Sequence, residues 1–205
     1  MQFDPAHIDP QLAYKLLASV VVPRPIAWTS TIDPDGRPNL APFSFFMMIT
    51  SSPPHVAISI GARDGEEKDT LRNIRATGEL VINTVSVPQQ QEMAITSADW
   101  PETISEFDVA GLQLEPSVSV RPPRVAGAPA SLECRSQHIL PVGGAPYGAH
   151  LVICEVLQIH LRDDLVQPNN RIDLHALQAV GRLTGDWYCS TDEQYELRKP
   201  ILRNT

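Results

Sequence analysis

The sequence predicts a mainly β, antiparallel, single-domain protein with a few flanking helices, and three observations carry that prediction. Nineteen prolines among 205 residues imply frequent chain reversals, because proline is poorly tolerated inside helices and central strands. Short runs with period-two alternation recur at close spacing, separated by turn residues, as in a closed antiparallel barrel. No internal repeat, low-complexity tract or linker divides the chain, and its length suits one sizeable core.

Asp9-Pro10 followed by Leu12, Leu16 and Leu17 reads as a short capped helix, with the aspartate accepting free amides and proline in the first turn. Residues 25–31, P-I-A-W-T-S-T, alternate as a strand. The turn I-D-P-D-G-R follows, in which proline presets one dihedral and glycine accepts a positive one. The segment R-P-N-L-A-P-F-S-F-F-M-M, residues 37–48, is therefore predicted as the return strand of a hairpin. Residues 55–60 form another strand, and residues 61–70 a polar loop. Residues 71–77 then read as a helix, capped by Asp69 or Thr70 and ended by Gly78. Residues 79–85 resume as a strand, and residues 87–98 are predicted as a short helix. Residues 100–129 form an extended, proline-rich excursion. Residues 131–140 and 150–161 are strands on either side of P-V-G-G-A-P-Y-G, and the second is long enough to serve two sheets through a bend.

The formal net charge of -8, with scattered basic residues, argues against a nucleic-acid surface or an anionic membrane surface, both of which need clustered cations. The longest apolar stretches fall short of the roughly 20 residues of a spanning helix. The first residues lack the charged and apolar regions of a secretion signal, so a cytoplasmic protein is expected. Cys134, Cys154 and Cys189 are odd in number and widely spaced, fit no disulfide framework or C-x-x-C site, and are read as reduced. The sequence holds no G-x-S-x-G elbow, no P-loop and no H-E-x-x-H helix, and its six histidines do not cluster. No metal site is predicted. Gly143 to Gly148 lacks the strand-to-helix context of a phosphate loop and reads as a turn.

The chemistry-bearing stretch is A-R-D-G-E-E-K-D-T-L-R-N-I. Arg63 and Lys68 are cations suited to phosphate, and Thr70 adds a hydroxyl and an amide where a helix starts. The same residues, with Asp64, Glu66 and Glu67 among them, also fit a solvated loop that ends in an ordinary helix cap. Thr29, Ser30, Thr31 and Ser44 offer hydroxyls, while Trp28, Phe43, Phe45 and Phe46 are either core or the walls of an apolar slot. Together the three segments suit a flat aromatic ligand with a phosphate tail.

Several of these stretches are long and specific: P-R-P-I-A-W-T-S-T at 23–31, N-L-A-P-F-S-F-F at 39–46, K-D-T-L-R-N-I at 68–74, and later E-F-D-V-A-G-L, P-P-R-V, L-E-C and V-G-R-L-T-G-D-W-Y. In this order the chain resembles the flavin reductase-like, FMN-binding split-barrel family, including its flavoredoxin-type members. The resemblance implies one domain over residues 1–205, with a core over roughly 18–165, that binds FMN non-covalently as a homodimer with the flavin near the subunit interface. It implies that Trp28, Thr29, Ser30, Thr31, Ser44, Phe45 and Phe46 line the ring and ribityl chain. Ile60, Gly61, Ala62, Arg63, Lys68, Asp69 and Thr70 would surround the phosphate. Thr184 stands where many relatives carry glycine, which separates Gly181 to Tyr188 from that carry-over.

The activity implied is hydride transfer from NADH or NADPH onto flavin, with electrons passed on to free flavin, a partner monooxygenase, ferric complexes or another small acceptor. Hydride chemistry on the flavin itself needs no catalytic side chain. The alternatives are an FMN-containing electron-transfer protein that does not oxidise nicotinamide, and a non-enzymatic barrel that binds flavin or another cofactor such as haem.

Overall fold

The computed structural model describes residues 1–200. Helix α1, Pro10–Val20, begins as expected: an Asp9 carboxylate oxygen accepts from the amides of Gln11 at 2.8 Å and Leu12 at 3.4 Å, with proline in the first turn. Of its side chains only Ala18 is buried, which leaves Leu12, Tyr14, Leu17 and Val20 exposed.

Seven strands form the main sheet: β1 (Ala27–Ile32), β2 (Pro38–Phe43), β3 (Phe46–Ser51), β4 (Pro54–Gly61), β5 (Glu79–Thr84), β6 (Ala130–Val142) and β7 (Ala149–Leu161). They lie in the order β2-β1-β5-β6-β7-β4-β3, every pair antiparallel. The two edge strands β2 and β3 are joined only by Ser44 and Phe45. Three Cα steps reach at most about 11 Å, so the ends of the sheet must approach and the sheet curls into a barrel with an unpaired seam. Residues 37–48 are thus not one return strand. They form two strands on opposite edges, and the break at Ser44-Phe45 is what takes the chain across the seam.

The prolines of β2 follow from its place at that seam. Pro38, Leu40 and Pro42 face Ile32, Ser30 and Trp28 in register. The Leu40 amide points away from β1, to the Glu106 carboxylate at 2.9 Å. Positions two residues to either side share that outward direction, so proline there removes no ladder bond and blunts the edge. The long β7 pairs with β6 on one side and β4 on the other within one sheet, so its expected service to two sheets is replaced by bending. Register shifts at Ile153/Cys154 and Val156/Gln158 in the β6–β7 ladder mark where it bends.

Alternation along β1 sends side chains to two cores, which is why all six of its residues are buried. Ala27 joins Phe43, Ile58, Ile60, Leu80, Ile82, Cys134, Val152 and Cys154 inside the barrel, together with Leu71 and Ile74 of helix α2 (Asp69–Thr77). Trp28 joins Leu40, Met93, Phe107 and Val125 in a second cluster, formed where the excursion after β5 packs on the other face. Burial pushes the Cys154 thiol up to about 12 and Cys134 well above its usual range, so both behave as small core hydrophobes.

The excursion contains helix α3 (Gln90–Ile95) and a short helix, Glu106–Val109. Glu133 on β6 fastens it: the fully buried carboxylate accepts from the amides of Val118 and Ser119, at 2.9 and 2.5 Å, and pairs with His160 at 2.6 Å. Burial raises its pKa, but the two amide bonds and His160 outweigh that effect and hold it below the ordinary glutamate range. A depressed carboxylate contributes stability that is fully present above its unfolded value and lost as pH falls through its native value. Urea unfolding across the acid range is expected to show wild type losing stability as pH falls, with Glu133→Gln losing less over the same range.

Residues 180–190 return to the segment before β1, where Val180–Arg182 pairs with both Arg24–Pro25 and Tyr188–Ser190. Gly181 suits this approach, since a Cβ there would press tightly on Cys189 Sγ at 3.0 Å and Pro23 Cβ at 3.1 Å. Thr184 accepts a hydrogen bond from Ser19 at 2.9 Å, which ties this segment to α1.

Candidate functional site

The first turn of α2 is left open. Neither Asp69 nor Thr70 caps it. Lys68 occupies the cap position, and no side chain bonds to the free amides. The amides at Asp69 and Thr70 therefore remain available, and the helix dipole favours negative charge there. The Asp69 carboxylate turns instead to Arg72. Thr70 is buried, with its hydroxyl accepting from Asn39 Nδ2 at 3.1 Å. At the other end Gly78, at φ 73°, closes the helix as the sequence predicts.

Beside this helix start runs a narrow cleft, walled by Asn39, Ala41, Pro42 and Phe43 of β2, by Thr96 to Ala98 after α3, and by Glu106. Arg63 and Lys68 enter it together. The neighbouring arginines are occupied: Arg63 with Asp99 at 2.7 Å, Arg72 with Asp69 and Glu102, and Arg75 with Glu67. The Lys68 side chain makes no hydrogen bond or ion pair among the described residues, and its ammonium stands 5.8 Å from the Phe43 ring centre. Burial, and next the charge of Arg63, lowers its pKa, with Asp99 acting the other way. Arg63 Nε is buried and has no hydrogen-bond partner among the described residues. A half-buried cation without a counter-ion, an orphaned guanidinium donor and an open helix start converge on one spot, and a phosphate group matches that donor set. Burial raises the pKa of Glu106 across the cleft, opposed by its bond from Leu40.

A second depression lies beyond the β2–β3 link. It is an apolar groove of about 590 Å³ between α1 and the outer face of β4 and β7, lined among others by Tyr14, Leu17, Arg24, Phe45, Phe46 and Leu151. Ser44 lines this groove while the adjacent Phe43 lines the cleft, so one residue step separates the two.

The residues expected to bind the cofactor are divided among several places. Arg63, Lys68, Asp69 and Thr70 line the cleft; Ser44, Phe45 and Phe46 line the groove. Gly61 and Ala62 face a separate hollow against the tip of the β6–β7 hairpin, and Ile60 is core. The side chains of residues 28–31 turn inward rather than lining a slot. Trp28 donates to Thr96 at 2.9 Å, Thr29 to the Ala27 carbonyl at 3.2 Å and Ser30 to the Pro123 carbonyl, while Thr31 accepts from Asn39 and Asn73. Full burial of β1 on both faces explains this, since hydroxyls there must find partners inside the fold. Trp28 thus stands behind the cleft, supporting Thr96 in its wall.

Sequence reasoning passed over Asn39, Ala41, Arg24 and Glu106. Asn39, Ala41 and Phe43 share one strand face by period two, a signal that was present in the sequence. Ser97, Ala98 and Glu106 carry none, because only folding brings them to β2.

Comparison with known proteins agrees with this architecture. The family described as flavin reductase like domain matches residues 19–176. An uncharacterized protein of Aquifex aeolicus is 37% identical over 97% of this chain and 100% of its own. The crystal structure of nitrilotriacetate monooxygenase component B from Bacillus cereus superposes with a TM-score of 0.92 at 30% identity, covering 96% of this chain and 98% of that one. That of 2-nitrobenzoate 2-nitroreductase from Pseudomonas fluorescens gives 0.88 at 28% identity, over 100% and 99%. With an antiparallel split barrel, an anion-ready helix start and a family match over most of its length, this chain belongs to the flavin reductase-like domain family.

Proposed function

We propose that the protein is an FMN-dependent oxidoreductase that takes hydride from NADH or NADPH onto flavin and passes the electrons to a small acceptor or a partner oxygenase. The observation that carries the FMN reading is Lys68: a half-buried ammonium with no counter-ion among the described residues, beside Arg63 and an open helix N-terminus. The pairing of the neighbouring arginines favours a flavin with a single phosphate. Arg72 in the outer continuation of the cleft is paired with Asp69 and Glu102, and Arg75 with Glu67, so these arginines are already matched by carboxylates and offer little to the second phosphate of a dinucleotide.

When bound, FMN supplies the hydride-accepting centre, and the protein's own part is binding, orientation and shielding. Lys68, Arg63 and the α2 amides would hold the phosphate. Phe43 and Ala41 would border the ribityl chain, and the apolar groove would exclude water from the ring. Anaerobic titration of the purified protein, loaded with FMN, with each nicotinamide while following flavin absorbance tests the proposal. Bleaching supports it. Bound FMN that neither nicotinamide bleaches favours an electron-transfer protein reduced by another protein, and failure to bind FMN removes the reading.

Because Lys68 is lowered by burial, it loses its charge at a lower pH than an ordinary lysine, and with it the attraction for phosphate. FMN affinity is therefore expected to fall with rising pH through that lowered value. Lys68→Arg, which keeps its charge, is expected to remove this alkaline decline in an equilibrium-binding series.

The homodimer belongs to the same proposal. Met47, Met48 and Ile49 on the edge strand β3, with Leu17 and Val20 on α1, leave apolar surface that a second copy would cover. Sedimentation of the FMN-saturated protein checks this, and a strictly monomeric species would count against it.

A further inference from the structure

We propose that Arg24 is the charge that stabilises the reduced form of the flavin ring, which occupies the apolar groove under α1; this rests on the FMN reading above. The occupant follows from continuity and size. The groove begins one residue beyond the cleft that suits the phosphate, is largely apolar, and at about 590 Å³ has room for a flat tricyclic ring.

Arg24 is only 7% exposed, yet no carboxylate pairs with it among the described residues. All four of its hydrogen bonds go to neutral acceptors. Nη1 donates to the carbonyls of Ala18 at 2.8 Å and Val21 at 2.7 Å, Nη2 to that of Leu183 at 2.6 Å, and Nε to Ser44 Oγ at 3.4 Å. The carbonyls explain how Arg24 holds the end of α1 against the C-terminal segment. They orient the guanidinium but leave its unit charge in place. A guanidinium carries five N–H donors, so one on Nη2 stays free and the Nε bond to Ser44 is long and easily exchanged. The guanidinium carbon lies 5.7 Å from the Phe45 ring centre, on the wall of the groove.

A hydride from the nicotinamide brings two electrons and one proton, so the neutral ring leaves with one negative charge unless it takes a second proton from water. In an apolar groove a fixed, buried cation acts strongly on that charge. Arg24 would favour the singly protonated anion over both the oxidised ring and the doubly protonated reduced ring. Its two signatures are a higher midpoint potential and a lower pH for uptake of the second proton.

The test uses the FMN-loaded protein, reduced anaerobically with dithionite against a reference dye. Arg24→Gln is expected to weaken binding of reduced FMN relative to oxidised FMN by about tenfold, a fall of about 30 mV for a two-electron couple. Arg24→Lys is expected to keep most of the wild-type potential. Because Arg24→Gln also removes the clamp on α1, an independent measurement uses wild type alone. Absorbance of its reduced form across pH is expected to show second-proton uptake at lower pH than free FMN in the same buffer. An unchanged potential in folded Arg24→Gln, or uptake at or above the pH of free FMN, overturns the proposal while the FMN reading stands. Failure of wild type to bind FMN overturns both.

Discussion

Lys68→Ala is expected to weaken FMN binding by about 1.5–3 kcal/mol, roughly 10- to 150-fold in Kd, the range for a hydrogen bond to a charged group. The expectation is large because Lys68 is free for a ligand. Its side chain has no hydrogen-bond or ion-pair partner among the described residues and makes no cap at the start of α2. Stability should therefore change by no more than about 1 kcal/mol, the centre of the range for point substitutions. Fluorescence titration with FMN and a parallel thermal melt read the two quantities. Unchanged affinity would remove the cleft from the phosphate site, and a large loss of stability would mean that Lys68 holds the loop together instead. Thr70 is a poorer probe, since its buried hydroxyl links to Asn39 and its loss would disturb β2 as well as any ligand.

Phe107→Ala is expected to cost about 3–5 kcal/mol of stability, the range for emptying a large buried aromatic position. Phe107 is 1% exposed and packs with Trp28, Leu40, Met93 and Val125 in the second core. At roughly 2–4 °C per kcal/mol for a chain of this size, Tm should fall by about 6–20 °C in a calorimetric scan. The effect should reach the site as well. Glu106, the preceding residue, walls the cleft and holds the Leu40 amide, so loosening this helix releases the edge of β2. FMN should then recover part of the lost Tm by binding the native form. A change in Tm below about 2 °C would show that the excursion is not an integral part of the core.

Most elements were legible from local chemistry. Asp9-Pro10 specifies the start of α1, Asp33 and Gly36 specify the β1–β2 turn, and Gly78 ends α2, because each acts on its own backbone within a few residues. The alternation that announces β1 also announced two faces, but not that both would be buried. That depends on the excursion of residues 87–128 folding over the second face, a long-range event with no period to reveal it. For the same reason Trp28, Thr29, Ser30 and Thr31 looked available as ligand contacts, although their hydroxyls and indole are engaged inside the fold.

The sequence by itself determined a mainly β single domain and the family to which it belongs, and it marked the segment from Arg63 to Thr70 as a candidate place for an anion. These are encoded in residues that stand close together and act through local hydrogen bonding, charge and dihedral preference. Only the tertiary structure decided that residues 37–48 split across the barrel seam, that the Lys68 side chain has no counter-ion among the described residues, and that Arg24 stands in the apolar groove likewise without one among them. Charge pairing and burial depend on which distant groups arrive within a few ångströms, and sheet closure sets those distances.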